Sequence, residues 1–112
     1  MISLEECKEK KLPEGRIFLG PSDGHLSVGF LELNPGASLE RHNRPVDEEL
    51  TQVSGASVIV FDDEERTLNP GEHLLIPAGN FHVHKNKGDE KSLTHWKFLG
   101  DITEIIGNIQ DT

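Results

Sequence analysis

The chain has 112 residues, 11 Lys+Arg against 20 Asp+Glu, one Cys and a formal net charge of −9. That length fits one domain around one core, and 34% hydrophobic with 28% charged residues is a globular mix, not a disordered one. The charge opposes duplex nucleic acid or an anionic membrane as partner, the lone Cys excludes an internal disulfide, and no apolar run approaches the ~20 residues of a membrane span.

Along the chain, Ser3-Leu4-Glu5-Glu6 has the spacing of a capping box, in a segment short enough to be a strand edge instead. The charged first eleven residues lack the apolar run of an export signal, and a single thiol fits a reducing compartment, so a cytoplasmic protein is expected. Turn signals then recur at short intervals: Pro13-Glu14-Gly15, Gly20-Pro21, Asn34-Pro35-Gly36, Ser54-Gly55, Asn69-Pro70-Gly71, Pro77-Ala78-Gly79 and Gly88-Asp89. Between them lie strand-length runs at 16–19, 25–33, 49–53, 57–61, 73–76, 81–84 and 93–99. Many short strands with no helical stretch between them predict an all-β sandwich or barrel. The acidic run Asp62-Asp63-Glu64-Glu65 reads as a solvated hairpin loop. At the end, Ile102, Ile105, Ile106 and Ile109 recur at helical spacing behind Asp101, which predicts a short C-terminal helix, with a strand continuing from Leu99 as the alternative.

The six histidines differ in what surrounds them. His42 follows a Pro-Gly turn and precedes Asp47-Glu48-Glu49. His82 opens a strand, and His84, two residues on, shares its face. Imidazole with carboxylate suits Zn, Fe, Ni, Cu or Mn. His25, His73 and His95 read as outward-facing. Trp96 and Phe98 read as core, Cys7 as a bystander, and Ser54 and Ser57 have no catalytic surroundings.

The first of two longer patterns reads Gly36-x5-His42-x-Arg44-x3-Glu48-x6-Gly55, and the second Gly71-x5-Pro77-x-Gly79-x2-His82-x3-Asn86. Together they resemble the two motifs of the cupin superfamily, G-x5-H-x-H-x3,4-E-x6-G and G-x5-P-x-G-x2-H-x3-N, at nine of ten fixed positions. The resemblance implies one cupin domain over residues 1–112, with motif 1 at 36–55 and motif 2 at 71–86. It implies a double-stranded β-helix, or jelly-roll barrel, with His42, Glu48 and His82 at metal-ligand positions inside. The glycines also have a purely structural reading at strand turns, and Pro77 one as a strand end.

The departure is Arg44, where the family has its second His. A guanidinium has no lone pair for a metal. At about 5 Å it would repel a divalent ion by on the order of 7 kcal/mol at an effective dielectric near 20. Three arrangements resolve the conflict: Arg44 turns away through the Pro45 kink, pairs with Asp47, Glu48 or Glu49 and displaces the metal, or stays in the pocket to bind a carboxylate or phosphate. His84 stands where the family usually has an apolar residue; it either completes a shifted metal set or contacts a ligand.

The leading expectation is a barrel that binds a divalent transition metal and a small, anionic organic ligand. The alternative is a metal-free ligand-binding or dimerisation module with a degenerate site. Whether it is an enzyme is open, because fold alone does not choose a reaction. A homodimer is expected from the family and from the apolar run Ile17-Phe18-Leu19.

Overall fold

The computed structural model describes residues 3–22 and 26–100. A one-turn 3-10 helix spans Leu4–Glu6, and Ser3 before it makes no side-chain capping bond, so the capping-box spacing yields one turn only. Nine strands follow: β1 (Lys8–Leu12), β2 (Gly15–Ser22), β3 (Ser27–Leu33), β4 (Glu48–Ser54), β5 (Ser57–Phe61), β6 (Glu65–Leu68), β7 (His73–Ile76), β8 (His82–Lys85) and β9 (Ser92–Phe98). Two of them, β1 and β6, were not expected; both are charged strands with mostly exposed residues, which hide the period-2 signal. The stretch expected to form a C-terminal helix and His25 lie outside the described residues.

All strand pairs are antiparallel. One sheet has the order β1-β2-β3-β9-β4-β7 and the other β6-β5-β8, as in a jelly-roll barrel. The Ile17-Phe18-Leu19 run has partners within the chain on both sides, in β1 and β3. The connection from β3 to β4 runs along β8 and extends the small sheet: Leu39 and His42 donate backbone N–H to His84 and His82 carbonyls at 3.0 Å each, and His82 donates back to His42 at 2.9 Å.

Alternation decides what faces inward. On β4 the buried residues are Glu48, Leu50 and Gln52; on β8, His82 and His84; on β9, Ser92, Thr94, Trp96 and Phe98. Leu19, Leu31, Leu33, Ile59, Leu68 and Ile76 complete the apolar core with Leu50, Trp96 and Phe98. Gly29 permits the packing of Trp96, since a Cβ there would stand 2.3 Å from the indole. Gly55 turns the chain at φ 63, where a Cβ would also meet the Lys91 carbonyl. Asn86, fully buried, donates its amide to the Leu33 and Glu90 carbonyls and accepts from the Gly88 N–H, closing the turn before β9. The Asp62–Glu65 stretch is an exposed turn between β5 and β6.

Candidate functional site

A cavity of about 330 Å³ opens between the two sheets. One part of its wall is apolar: Leu12, Ile17, Leu31, Leu39, Leu50, Trp96 and Phe98. The rest is polar: Glu40, Arg41, His42, Arg44, Glu48, His82, His84 and Thr94. The cavity thus holds all five residues singled out from the sequence. His73 and His95 are on the outer face; His95 sets its ring edge-on to Phe30 at 5.1 Å.

His42 and His82 face each other across the two chain segments, ring centroids 4.4 Å apart. Each Nδ1 contacts a backbone carbonyl, Glu40 at 2.8 Å and Asn80 at 3.0 Å. A carbonyl only accepts, so both rings carry their proton on Nδ1 and turn a bare Nε2 lone pair to the cavity. Burial lowers His42 to about 4, opposed by its bond to Glu40 and reinforced by the charge of Arg44. It lowers His82 too, with Arg44 adding. Both are neutral imidazoles at pH 7.

Glu48 lies 3.7 Å from His82 Nε2, too far for a hydrogen bond. Burial raises its carboxyl to about 7, and the nearby Arg44 charge offsets only part of that. Arg44 stays in the cavity. Its carbonyl accepts from the Gly79 N–H at 2.8 Å, which holds the backbone in place. Its Nε is buried with no hydrogen-bond partner, and it forms no ion pair among the described residues. Burial lowers its pKa, yet guanidinium remains charged at any working pH. Of its three candidate acidic partners, Asp47 caps the Ala78 N–H at 2.8 Å and Glu49 is exposed on the outer side of β4.

His84 sits one layer deeper. Its Nε2 is 3.0 Å from Ser57 Oγ, and burial lowers the ring to about 3, with His82 and His42 adding to the effect. Beneath it Ser57, Ser92, Thr94 and Gln52 form a closed set of buried contacts. These partners were missed from sequence. The period-2 alternation from Glu48 through Leu50 to Gln52 was the available signal. At the rim, Arg41 stacks over Phe81 at 4.2 Å and pairs with Asp62 at 3.0 Å.

Residues 29–96 match the Cupin domain family. The chain belongs to the cupin family. Among curated proteins, this cupin is 33% identical over 78 residues to Protein SchB of Streptomyces halstedii, covering 66% of this chain and 56% of that protein. It is 35% identical over 78 residues to Tetracenomycin polyketide synthase protein TcmJ of Streptomyces glaucescens, covering 66% and 52%. The chain therefore spans about half the length of the curated relatives it matches. Among solved structures, an RmlC-like cupin from Shewanella frigidimarina superposes with a TM-score of 0.79 over 90% of each chain at 14% identity. That likeness is one of fold.

His42, His82 and Glu48 are the residues at the metal-ligand positions of the cupin motifs. All three border one cavity, and the two imidazoles have the tautomer that metal ligands adopt. Two donors on one tetrahedral ion stand about 3.3 Å apart, so the 3.7 Å between His82 Nε2 and Glu48 Oε1 is closed by a small side-chain shift. The donors therefore fit a divalent transition ion in type, tautomer and the spacing of this pair. Yet among the described residues no three His, Cys, Asp or Glu side chains converge as a metal cage does.

Proposed function

We propose that this cupin barrel binds a small, mostly apolar organic anion, with Arg44 holding the anionic group. The observation that carries this reading is the half-buried Arg44 guanidinium at the cavity wall, with an orphaned Nε and no ion pair among the described residues. A half-buried cation that Glu48 compensates only in part keeps a desolvation cost, which an incoming carboxylate or phosphate offsets. The neutral imidazoles supply no competing positive charge. The apolar wall of Leu31, Leu50, Trp96 and Phe98 matches a hydrocarbon or aromatic body, and likeness to a protein named for polyketide synthesis supports the same ligand class.

Trp96 is the single Trp of the chain and lines the cavity, so its fluorescence reports occupancy directly. Titration with benzoate in the presence of chelator is expected to change that emission saturably. Arg44→Met is expected to weaken binding at least ten-fold, the scale of a charge-assisted hydrogen bond. Equal affinity for benzoate and benzamide, or for wild type and Arg44→Met, overturns the reading.

A second reading is favoured by the fixed tautomers of His42 and His82. Here His42, His82 and Glu48 hold a divalent ion, and the bound ion supplies Lewis acidity beside the ligand. Arg44 opposes the ion until an anion neutralises it, so metal affinity is expected to rise when benzoate is present. Metal content of protein purified without added metal checks this, with His82→Ala as control. Substoichiometric metal that His82→Ala leaves unchanged overturns it, whereas a gain of affinity in Arg44→His supports it.

A further inference from the structure

The floor of the cavity carries an inference of its own, resting on proton counting. Seven polar contacts meet there, the longest of them between Thr94 Oγ1 and His84 Nε2 at 3.5 Å, too long to claim a proton of its own. Gln52 Nε2 donates to the Ser54 carbonyl at 2.9 Å and to Ser92 Oγ at 3.0 Å. The Ser54 carbonyl only accepts, which fixes the amide orientation and presents Gln52 Oε1 to Thr94. Thr94 Oγ1 then gives its one proton to Gln52 Oε1 at 2.8 Å. Ser57 Oγ is in contact with three groups: Ser92 Oγ, Thr94 Oγ1 at 3.0 Å and His84 Nε2 at 3.0 Å.

Three contacts at Ser57 need three protons. Ser92 brings one, Ser57 has one, and Thr94 has already spent its own on Gln52. The third can come only from His84 Nε2. Were Nε2 unprotonated, Ser57 would donate to it, and the Ser57–Thr94 contact would hold two oxygen lone pairs at 3.0 Å with nothing between them. All five residues are buried, so water does not replace the missing proton.

We infer that this network locks His84 as the Nε2–H tautomer, the reverse of His42 and His82, and makes its Nδ1 a fixed hydrogen-bond acceptor that selects ligands carrying a hydroxyl. Nδ1 has no partner among the described residues, and His84 lines the cavity. The antiparallel register then sets the ligand's shape. Ser38 pairs with Lys85, His42 with His82, and Arg44 with Gly79. Arg44 and His84 therefore lie on opposite sides of the imidazole pair. A ligand spanning them carries an anion at one end and a donor O–H at the other, as a hydroxyaryl carboxylate does. This refines the anion-binding reading and depends on it for the ligand's orientation, though the tautomer does not.

Two measurements test it. Long-range proton–nitrogen NMR of the imidazole nitrogens in the apo protein is expected to show His84 protonated on Nε2, with His42 and His82 protonated on Nδ1. Titration then compares 4-hydroxybenzoate with benzoate. The hydroxyl is expected to improve affinity about ten-fold in wild type. The gain should vanish in His84→Phe and shrink in Ser57→Ala, which keeps the imidazole but frees its tautomer. A proton on His84 Nδ1, or a hydroxyl gain that survives His84→Phe, overturns the inference. Benzoate binding that depends on Arg44 without any hydroxyl gain overturns it while sparing the anion-binding reading. If neither benzoate binds, the anion-binding reading falls and the His84 tautomer alone decides the inference.

Discussion

At the Arg44 end of the cavity a guanidinium Nε is buried with no partner, two imidazoles turn bare lone pairs inward, and a carboxyl is held near neutral pH. At the other end, Gln52, Ser57, Ser92 and Thr94 satisfy one another, and His84, bonded to them through Nε2, has no partner for Nδ1 among the described residues. Both ends are polar, the closed end fully buried and the Arg44 end only in part. They differ further in whether the polar groups were given partners. A closed network holds a shape, because each partner lost leaves another group buried and unsatisfied. An open set of valences stores that same cost against the arrival of a ligand.

The largest expected effect tests the closed end. Gln52→Leu keeps the volume roughly constant but strips partners from the Ser54 carbonyl, Ser92 and Thr94. Urea unfolding is expected to show a loss of about 3 kcal/mol, the sum of several buried orphans. A loss below about 1 kcal/mol would mean that the network relaxes and that the two ends are less different than they look.

Next comes the open end and its dependence on pH. The folded pKa of Glu48, about 7, is above the ordinary carboxyl value of 4.5, so folding favours its protonated form. That contribution is full below about pH 4.5 and is lost as pH rises through 7. His42, lowered to about 4, runs the other way, as do His82 and His84. Their contribution is full above about pH 6.5 and is lost as pH falls toward their folded values. With four lowered histidines, His95 included, against one raised carboxyl, stability should climb with pH to about 6.5 and dip as Glu48 ionises. Glu48→Gln, measured with chelator present, is expected to abolish the dip and to stabilise the fold by about 2 kcal/mol at pH 8. At pH 4.5 it should do nearly nothing. A variant that destabilises equally at both pH values would show that Glu48 is held by contacts rather than strained by burial.

The open end was the legible one. Gly36, Gly55, Gly71 and Pro77 mark turns by backbone chemistry alone, and the spacing from them to His42, Glu48 and His82 carries the family pattern. Arg44 stood out because guanidinium contradicts a metal position, though only coordinates could choose among its three arrangements. The closed end was silent. Ser57, Ser92 and Thr94 are small polar residues that sit equally well on any strand surface. They become a network only through the pairing of β5 with β8 and the facing of β5 and β9 across the barrel. Likewise β1 escaped notice, because Lys8, Glu9, Lys10 and Lys11 look like a solvated tail until β2 pairs with them.

The smallest expected effect is also the one that separates binding from folding most sharply. Arg44→Met replaces a half-buried, unpaired cation by an apolar chain of similar length. Among the described residues no side chain loses a hydrogen-bond partner, since Gly79 bonds the Arg44 backbone carbonyl and not the guanidinium. Removing an uncompensated charge is expected to stabilise the protein by about 1 kcal/mol, read as a higher urea midpoint at unchanged slope. Ligand affinity should fall in the same variant, the opposite signs marking a residue kept for binding at the expense of stability. The same substitution removes the charge that restrains Glu48, so the Glu48 carboxyl should titrate higher still. The gain from Arg44→Met should therefore be smaller at pH 8 than at pH 5, and in the Glu48→Gln background it should lose its pH dependence altogether. Destabilisation by Arg44→Met at either pH would place the guanidinium with the closed set rather than the open one.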